Sequence, residues 1–242
     1  MNAPRLLRPD TRAVVMMATG ASLYGVLSWL TNVVPMPSVS LVTVRPAVVI
    51  PIFFGYTWGP LVGFFTGLVG NLVGDTLTGW GFSPHWDLGN GILGALPGLA
   101  RLLGHRRRTP HGLGALLVAT CLGLAAWMRR LTEPLEVFAW PPGWVPAEHV
   151  AWPLGLAVLV AVVWIAAGRR GASAEAVLWG LVGIVGGIGT AALLDVPIHR
   201  MSFEASMVGQ FVPAVLANTV ALVVLLPPLE RAWRNALERA GR

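Results

Sequence analysis

Residues 45–99 decide the fold of this chain. They read RPAVVIPIFFGYTWGPLVGFFTGLVGNLVGDTLTGWGFSPHWDLGNGILGALPGL. Between Arg45 and Asp75 there is no charged side chain, and glycines recur throughout. An apolar stretch of this length without a polar face is typical of helices in lipid. A carboxylate at its end is costly there unless it faces water, a partner or a ligand. The segment therefore predicts a helical hairpin that leads to a polar pocket near one membrane face.

The composition of the whole chain also indicates a membrane protein. Of the 242 residues, 55% are hydrophobic and 12% are charged, whereas a soluble domain carries roughly 25% charged residues. All 17 basic residues are arginines, and they fall in short clusters between apolar runs. That distribution is the topology signal of a membrane protein, so the net charge of +6 requires no nucleic-acid partner. The single cysteine, Cys121, permits neither a disulfide nor a cysteine metal site.

Eight apolar runs predict an all-α, polytopic helical bundle. Because some runs are shorter than the about 20 residues that cross a bilayer upright, we expect six to eight transmembrane helices in one domain, residues 1–242. Helix breakers at residues 55–60 predict a tight turn. The runs cover approximately residues 13–33, 42–55, 58–78, 88–103, 113–128, 151–168, 176–194 and 205–226.

The arginine distribution predicts the orientation of the bundle. If both termini are cytoplasmic, thirteen arginines lie in cytoplasmic segments and four in outer segments. This bias favours an even number of spans with both termini inside, and a first apolar run that is retained as a span. The outer segments are then 35–41, 79–87, 129–150 and 195–204, which hold most of the acidic and histidine residues of the middle of the chain.

A series of short motifs runs through residues 41–104. It comprises Arg45-Pro46, a Phe54-Gly55 pair followed by Gly59-Pro60, a glycine-rich span that ends in Gly74-Asp75, and a further helix before the basic cluster 101–108. In order and spacing this series resembles the core of the S components, the substrate-binding subunits of energy-coupling factor (ECF) transporters. Residues 205–229 resemble the last helix of that family. Residues 113–168 show no family pattern, so that either two helices are inserted there or some of these runs are not full spans.

The resemblance implies a multi-pass subunit in the plasma membrane of a prokaryote. Such a subunit captures a vitamin or similar micronutrient at the outer face, here under a loop formed by residues 35–41. Its partners are a transmembrane coupling protein and two ATPase subunits, which use ATP; the chain itself would hold no cofactor. It also has no phosphate-binding loop or hydrolase motif, and we expect it not to be an enzyme. The alternative from another class is a membrane-embedded sensory or scaffold domain without transport activity.

Small residues on the first apolar run predict a close helix contact. Ala18 and Ser22, and likewise Ala21 and Gly25, are spaced four residues apart, which lets another helix approach closely. The family uses a similar stripe to meet the coupling protein, and packing within the bundle is the equal alternative.

Eight residues are candidates for ligand binding, and each has a structural alternative. Arg45 can pair with a carboxylate or phosphate, or extend to lipid headgroups. Asn71 and Asp75 share a helix face and can either bind a ligand or tie helices together. Trp80 and Trp86 can stack on a flat heterocycle or belong to the aromatic belt of the membrane. Asp87 and Asn90 flank the start of a helix, where Asp87 can contact a ligand or act as the N-cap. Asn218 can contact a ligand or form an interhelical hydrogen bond.

Histidines and carboxylates share the predicted outer side. His85, His149 and His199 fall there beside Asp87, Glu148 and Asp195. Scattered loop histidines rarely form a metal site, so no metal site is expected. A membrane enzyme would need catalytic groups clustered at one depth, for which Asp75 with His85 is the nearest candidate.

Overall fold

The fold is a bundle of helices packed through glycine-rich faces. The computed structural model of the chain describes residues 9–32, 42–103, 108–128, 135–137, 143–145, 155 and 171–241. The helices are α1 (Thr11–Thr31), a 3₁₀ turn (Pro46–Val48), α2 (Val49–Trp58), α3 (Pro60–Thr78), α4 (Pro84–Leu102), α5 (Arg108–Met128), α6 (Gly171–His199), α7 (Phe203–Ser206), a π-helical turn (Met207–Phe211) and α8 (Val212–Ala240). Two short strands, β1 (Leu135–Val137) and β2 (Gly143–Val145), form an antiparallel hairpin.

The predicted helical membrane bundle is confirmed in its general character. In the described part of the chain, four helical stretches are long and apolar enough to cross a membrane: Thr11–Thr31, Pro60–Thr78, Ala174–His199 and Phe203–Ala240. The total of six to eight spans and the cytoplasmic position of the termini stay predictions. The predicted lid 35–41 lies outside the described residues, and so does the predicted run 151–168 except for residue 155.

The predicted hairpin is present as α2 and α3, with a sharper turn than expected. Residues 55–58 continue the α2 helix, and Gly59 alone breaks it, with a φ of 114°. The prediction of a turn over the whole of 55–60 was wrong because Pro60 begins α3, where its missing N–H costs nothing. The break therefore takes one residue, and the two helices fold back directly on each other.

Glycines set the distance between the hairpin and α4. A Cβ atom on Gly55 or on Gly63 would collide with the carbonyl oxygen of Gly94, and one on Gly67 would collide with the carbonyl of Asn90. Contacts that pair 63 with 94 and 67 with 90 show that α3 and α4 run antiparallel. Backbone-to-backbone contact of this kind is how small residues hold helices together where water offers no driving force.

Helix α1 packs in parallel against α3 through a second set of small residues. Gly25 faces Val73 and the carbonyl of Gly70, and Gly74 faces Ser28. The opposite side of α1 is apolar and exposed, with Trp29 at 47% and Leu30 at 57% relative exposure. An exposed apolar face is what a helix at the border of a membrane bundle presents to lipid.

Helix α6 is longer than the sequence predicts and runs antiparallel to α4. Its glycines 183 and 187 approach Leu93 and Gly89 of α4. The predicted span ended at residue 194, whereas the helix continues to His199 through Pro197. Asp195 and His199 therefore lie on one helical face, and the interpretation of 195–204 as a loop was wrong at its start.

Candidate ligand-binding site

A cavity of about 370 Å³ opens at the end of the bundle where α3 ends and α4 begins. This volume is at the lower end of the about 300–1,000 Å³ usual for small-molecule sites. Its walls come from the segment before α2 and from α3, α4, α6 and α8. The lining residues are Val42, Thr43, Arg45, Val48, Asn71, Asp75, Trp80, Ser83, Trp86, Asn90, Ile188, Ala214 and Asn218.

Arg45 is the centre of the polar network in this cavity. Its Nε donates to Asn32 Oδ1 at 3.0 Å, its Nη1 donates to Asn71 Oδ1, and its Nη2 lies 3.1 Å from Asp75 Oδ1. The Trp80 ring stands over the guanidinium, 5.4 Å from Cζ to the ring centroid, within range of a cation–π contact. With 14% of its side chain exposed, Arg45 points into the bundle and does not extend to headgroups.

Asn71 joins the two carboxylates of the site. Its Nδ2 donates to Asp75 Oδ2 at 2.8 Å and to Asp87 Oδ1 at 2.9 Å. The Asn71–Asp75 pair lies on α3 and Asp87 lies on α4, so this amide ties the two helices together at the cavity floor. Both of its donor hydrogens and its acceptor oxygen are used within the protein.

Asp87 lies behind the cavity wall. Helix α4 begins at Pro84 with Ser83 in the N-cap position, so the interpretation of Asp87 as an N-cap was wrong. Asp87 is 3% exposed and is held by Asn71, and it does not line the cavity. Of the eight predicted binding residues, the other seven surround one cavity.

The aromatic and amide side chains of α4 are fixed by partners on other helices. Trp86 Nε1 donates to Asp195 Oδ2 of α6 at 3.1 Å. Asn90 Oδ1 accepts the hydroxyl of Tyr24 of α1 at 2.7 Å, and Asn90 Nδ2 donates to the Trp86 carbonyl at 2.9 Å. These partners hold the ring of Trp86 and the amide of Asn90 in set positions before any ligand arrives.

Asn218 enters the cavity from α8. Its Oδ1 is buried and has no hydrogen-bond partner among the residues that the structure describes. The interhelical bond expected for this amide oxygen is therefore not found there. A buried amide oxygen of this kind is costly unless something donates to it, which a ligand in the cavity would do.

Sequence reasoning missed two residues of the network. Tyr24 is fully buried in α1, and Asn32 follows the last residue of that helix. Asn32 accepts from Arg45 and from Thr43, and donates to Thr78. For Tyr24 a signal was available in its position along the helix. Tyr24 lies on the same face as Ala21, Gly25 and Ser28, so its hydroxyl had to find a partner inside the bundle.

The small residues of α1 divide between two faces. Ala21 and Gly25 are buried against α3, whereas Ala18 and Ser22 are exposed. The first pair thus packs within the bundle. The second pair is on a surface that another protein can reach.

Comparisons with known proteins found matches to one family model and to several relatives. Residues 9–128 match the family model described as "ECF-type riboflavin transporter, S component". This match covers just under half of the chain and shows that the N-terminal part is similar to this S-component family. Three similar proteins are UPF0397 proteins: one of Aliivibrio salmonicida (strain LFI1238) is 38% identical over 101 residues, one of Aliivibrio fischeri (strain MJ11) is 36% identical, and one of Vibrio atlanticus (strain LGP32) is 36% identical.

The family-model match lies in the N-terminal half of the chain. The aligned 101 residues are 40% of this chain, and they span about half the length of the relatives, 52% or 53%. No solved structure matches the chain. Ten of the thirteen lining residues fall between positions 42 and 90, within the family match. The cavity is thus formed mainly by the segment that matches the family model, and α6 and α8 complete it.

Proposed function

We propose that this protein is the substrate-binding S component of an ECF-type importer, which captures a vitamin or similar micronutrient at the outer membrane face. The observation that carries the proposal is the cavity built around Arg45, in a segment that matches an S-component family model. S components are transporter subunits rather than enzymes. The prokaryotic plasma membrane and the outward position of the cavity are parts of the proposal.

The lining of the cavity favours a flat, partly aromatic ligand with hydrogen-bonding edges. Trp80 and Trp86 supply ring faces for stacking. Arg45 supplies donors, and the free Oδ1 of Asn218 supplies an acceptor. Riboflavin is the first compound to test, because the matching family model bears its name.

Transport in this proposal is carried out by partners. A transmembrane coupling protein and two ATPase subunits would dock on the bundle and use ATP, and the S component itself would need no cofactor. The exposed pair Ala18 and Ser22 on α1 is the proposed docking patch. We expect Ser22→Leu to abolish uptake in cells while ligand affinity stays unchanged. Thr19→Leu, at a neighbouring exposed position of the same helix, is the matched control and should transport normally.

Native mass spectrometry of the detergent-extracted protein tests the binding role. We expect a small molecule bound at one per chain, which is released on denaturation and identified from its mass. Asp75→Ala and Trp86→Ala should lose it, because they remove the partner of Arg45 and one stacking wall. Trp29→Ala, at an exposed position of α1, should retain it.

The opposite result would favour the sensory or scaffold alternative. If the purified protein carries no ligand, and a panel of vitamins that includes riboflavin leaves its thermal unfolding unchanged, the importer proposal is wrong.

A further inference from the structure

A second group of ionisable side chains lies beside the cavity, between α4 and α6. His85 is in the first turn of α4, and Asp195 and His199 are one turn apart near the end of α6. His85 Nε2 is 2.8 Å from Asp195 Oδ1, and His199 Nδ1 is 2.7 Å from the same oxygen. The three potential ligand atoms all lie within 4.8 Å of one another. His85 and His199, which were expected to be scattered in loops, thus lie together at Asp195. His149 and Glu148 lie outside the described residues.

The burial of this trio suits a metal ion. The side chains of His85 and Asp195 are 4% and 2% exposed, whereas that of His199 is 55% exposed. The first two side chains are therefore held inside the bundle, and the side chain of His199 lies at the protein surface. Metal bonds of about 2.0–2.2 Å in a tetrahedral arrangement separate ligand atoms by about 3.3–3.6 Å. To seat a metal, the two histidine–aspartate separations of 2.8 and 2.7 Å would have to widen.

The surroundings of Asp195 provide the support that metal ligands need. Its second oxygen, Oδ2, accepts the indole N–H of Trp86 at 3.1 Å, which fixes the orientation of the carboxylate. His85 Nδ1 is buried without a partner among the described residues, so the ring proton can reside there and leave Nε2 free to ligate.

We propose that His85, Asp195 and His199 form a site for a divalent transition metal of the Zn²⁺ class. Two imidazoles and one carboxylate are a ligand set that Zn²⁺ accepts, with water in the fourth position on the exposed side of His199. The site goes beyond the proposed import function and does not depend on it. Because Trp86 contacts both Asp195 and the cavity, a bound metal would also hold that cavity wall in place.

Zinc binding can be measured without knowledge of the micronutrient. The full chain is purified with a tag that contains no histidine, stripped with a chelator and titrated with Zn²⁺ by calorimetry. We expect one Zn²⁺ per chain. Co²⁺ in its place should give the visible absorption of a tetrahedral site, and Zn²⁺ should bleach that absorption.

Three variants assign the ligands. His199→Ala and His85→Gln should each weaken Zn²⁺ binding by more than about tenfold, and Trp86→Phe should weaken it by about tenfold through Asp195. His111→Ala, which removes a histidine from outside the trio, is the control and should bind as the wild type does. Since His199 is half exposed, His199→Ala should unfold at the wild-type temperature in metal-free buffer, which separates loss of the site from loss of the fold.

Two results would overturn the proposal. If the wild type binds Zn²⁺ no more tightly than His199→Ala does, the trio is only a hydrogen-bonded contact between α4 and α6. If Zn²⁺ binds tightly to the wild type and to all variants of the trio, the metal is held elsewhere in the chain. Neither result would bear on whether the cavity holds a micronutrient.

Discussion

Each of the three guanidinium nitrogens of Arg45 donates to a different partner. Nε donates to Asn32, Nη1 to Asn71 and Nη2 to Asp75, so this side chain, which precedes the 3₁₀ turn, connects the end of α1 to the C-terminal half of α3. A planar guanidinium can do this because its N–H groups diverge in fixed directions. The position of this cation in the cavity thus depends on three polar neighbours and not on the ligand.

We expect Arg45→Lys to weaken ligand binding by at least about tenfold. Lysine keeps the charge but cannot reproduce the three directed contacts, and a hydrogen bond to a charged group contributes about 1.5–3 kcal/mol. Calorimetry with the ligand identified by mass spectrometry measures the effect. Arg12→Lys, at an exposed position of α1, is the control. Unchanged affinity in Arg45→Lys would show that charge alone matters at this position.

At the scale of the elements, the hairpin α2–α3 and α4 meet through backbone contacts. Gly55 and Gly63 both face the carbonyl of Gly94, and Gly98 faces the nitrogen of Pro60. Contacts between backbones cannot relax by a change of rotamer, so each glycine here is needed for its size. The arrangement sets the positions from which Asn71, Asp75 and Trp86 reach the cavity.

Gly63→Ala is expected to destabilise the protein strongly. The new methyl group would collide with the Gly94 carbonyl and with Gly55 Cα, and the cost should reach the upper part of the about 1–3 kcal/mol range for overpacking, or exceed it. A Cβ atom added at Gly123 on α5 meets no atom of the described residues within 4 Å, so Gly123→Ala should leave stability unchanged or slightly higher. Thermal unfolding in detergent compares the two. Equal unfolding temperatures would mean that α3 and α4 can separate at little cost.

The order of the elements could be predicted well from the sequence, whereas the contacts between side chains of different elements could not. Long apolar runs with glycines predicted both limits of α1 and α3 to within about two residues, and the end but not the start of α4, because burial in lipid demands such runs. Pro60 and Gly59 could have predicted the one-residue turn. The contact of His85 with Asp195, 110 residues away, has no local signal, and the same holds for Tyr24 with Asn90.

The candidate site was predictable in part for a related physical reason. Polar residues in or next to an apolar run have to find partners, which pointed to Arg45, Asn71, Asp75 and Asn218. The role of Asp87 depends on where α4 begins, and helix ends are the least certain feature of a sequence. A start at Pro84 instead of residue 88 turns Asp87 from a cap into a buried partner of Asn71.

For the whole molecule, the arginine distribution predicts that the cavity faces outward and the C-terminus inward. In a Cys121→Ala background, Phe82→Cys near the cavity should react with a membrane-impermeant maleimide in intact cells. Arg239→Cys at the end of α8 should react only after permeabilisation. Both positions are exposed in the protein, so a difference reports sidedness and not burial. Labelling of both cysteines in intact cells would contradict the predicted orientation.

The π-helical turn at Met207–Phe211 lies just before the part of α8 that lines the cavity. A π turn arises where an α-helix carries one surplus residue. Loss of one residue there would leave regular α-helix from α7 into α8, with the faces of both helices in register. Ala214 and Asn218, one and two turns further on, would still face the cavity. In evolutionary terms, a single-codon deletion at this point would be tolerated more readily than elsewhere in α8, where it would turn every following side chain by about 100°.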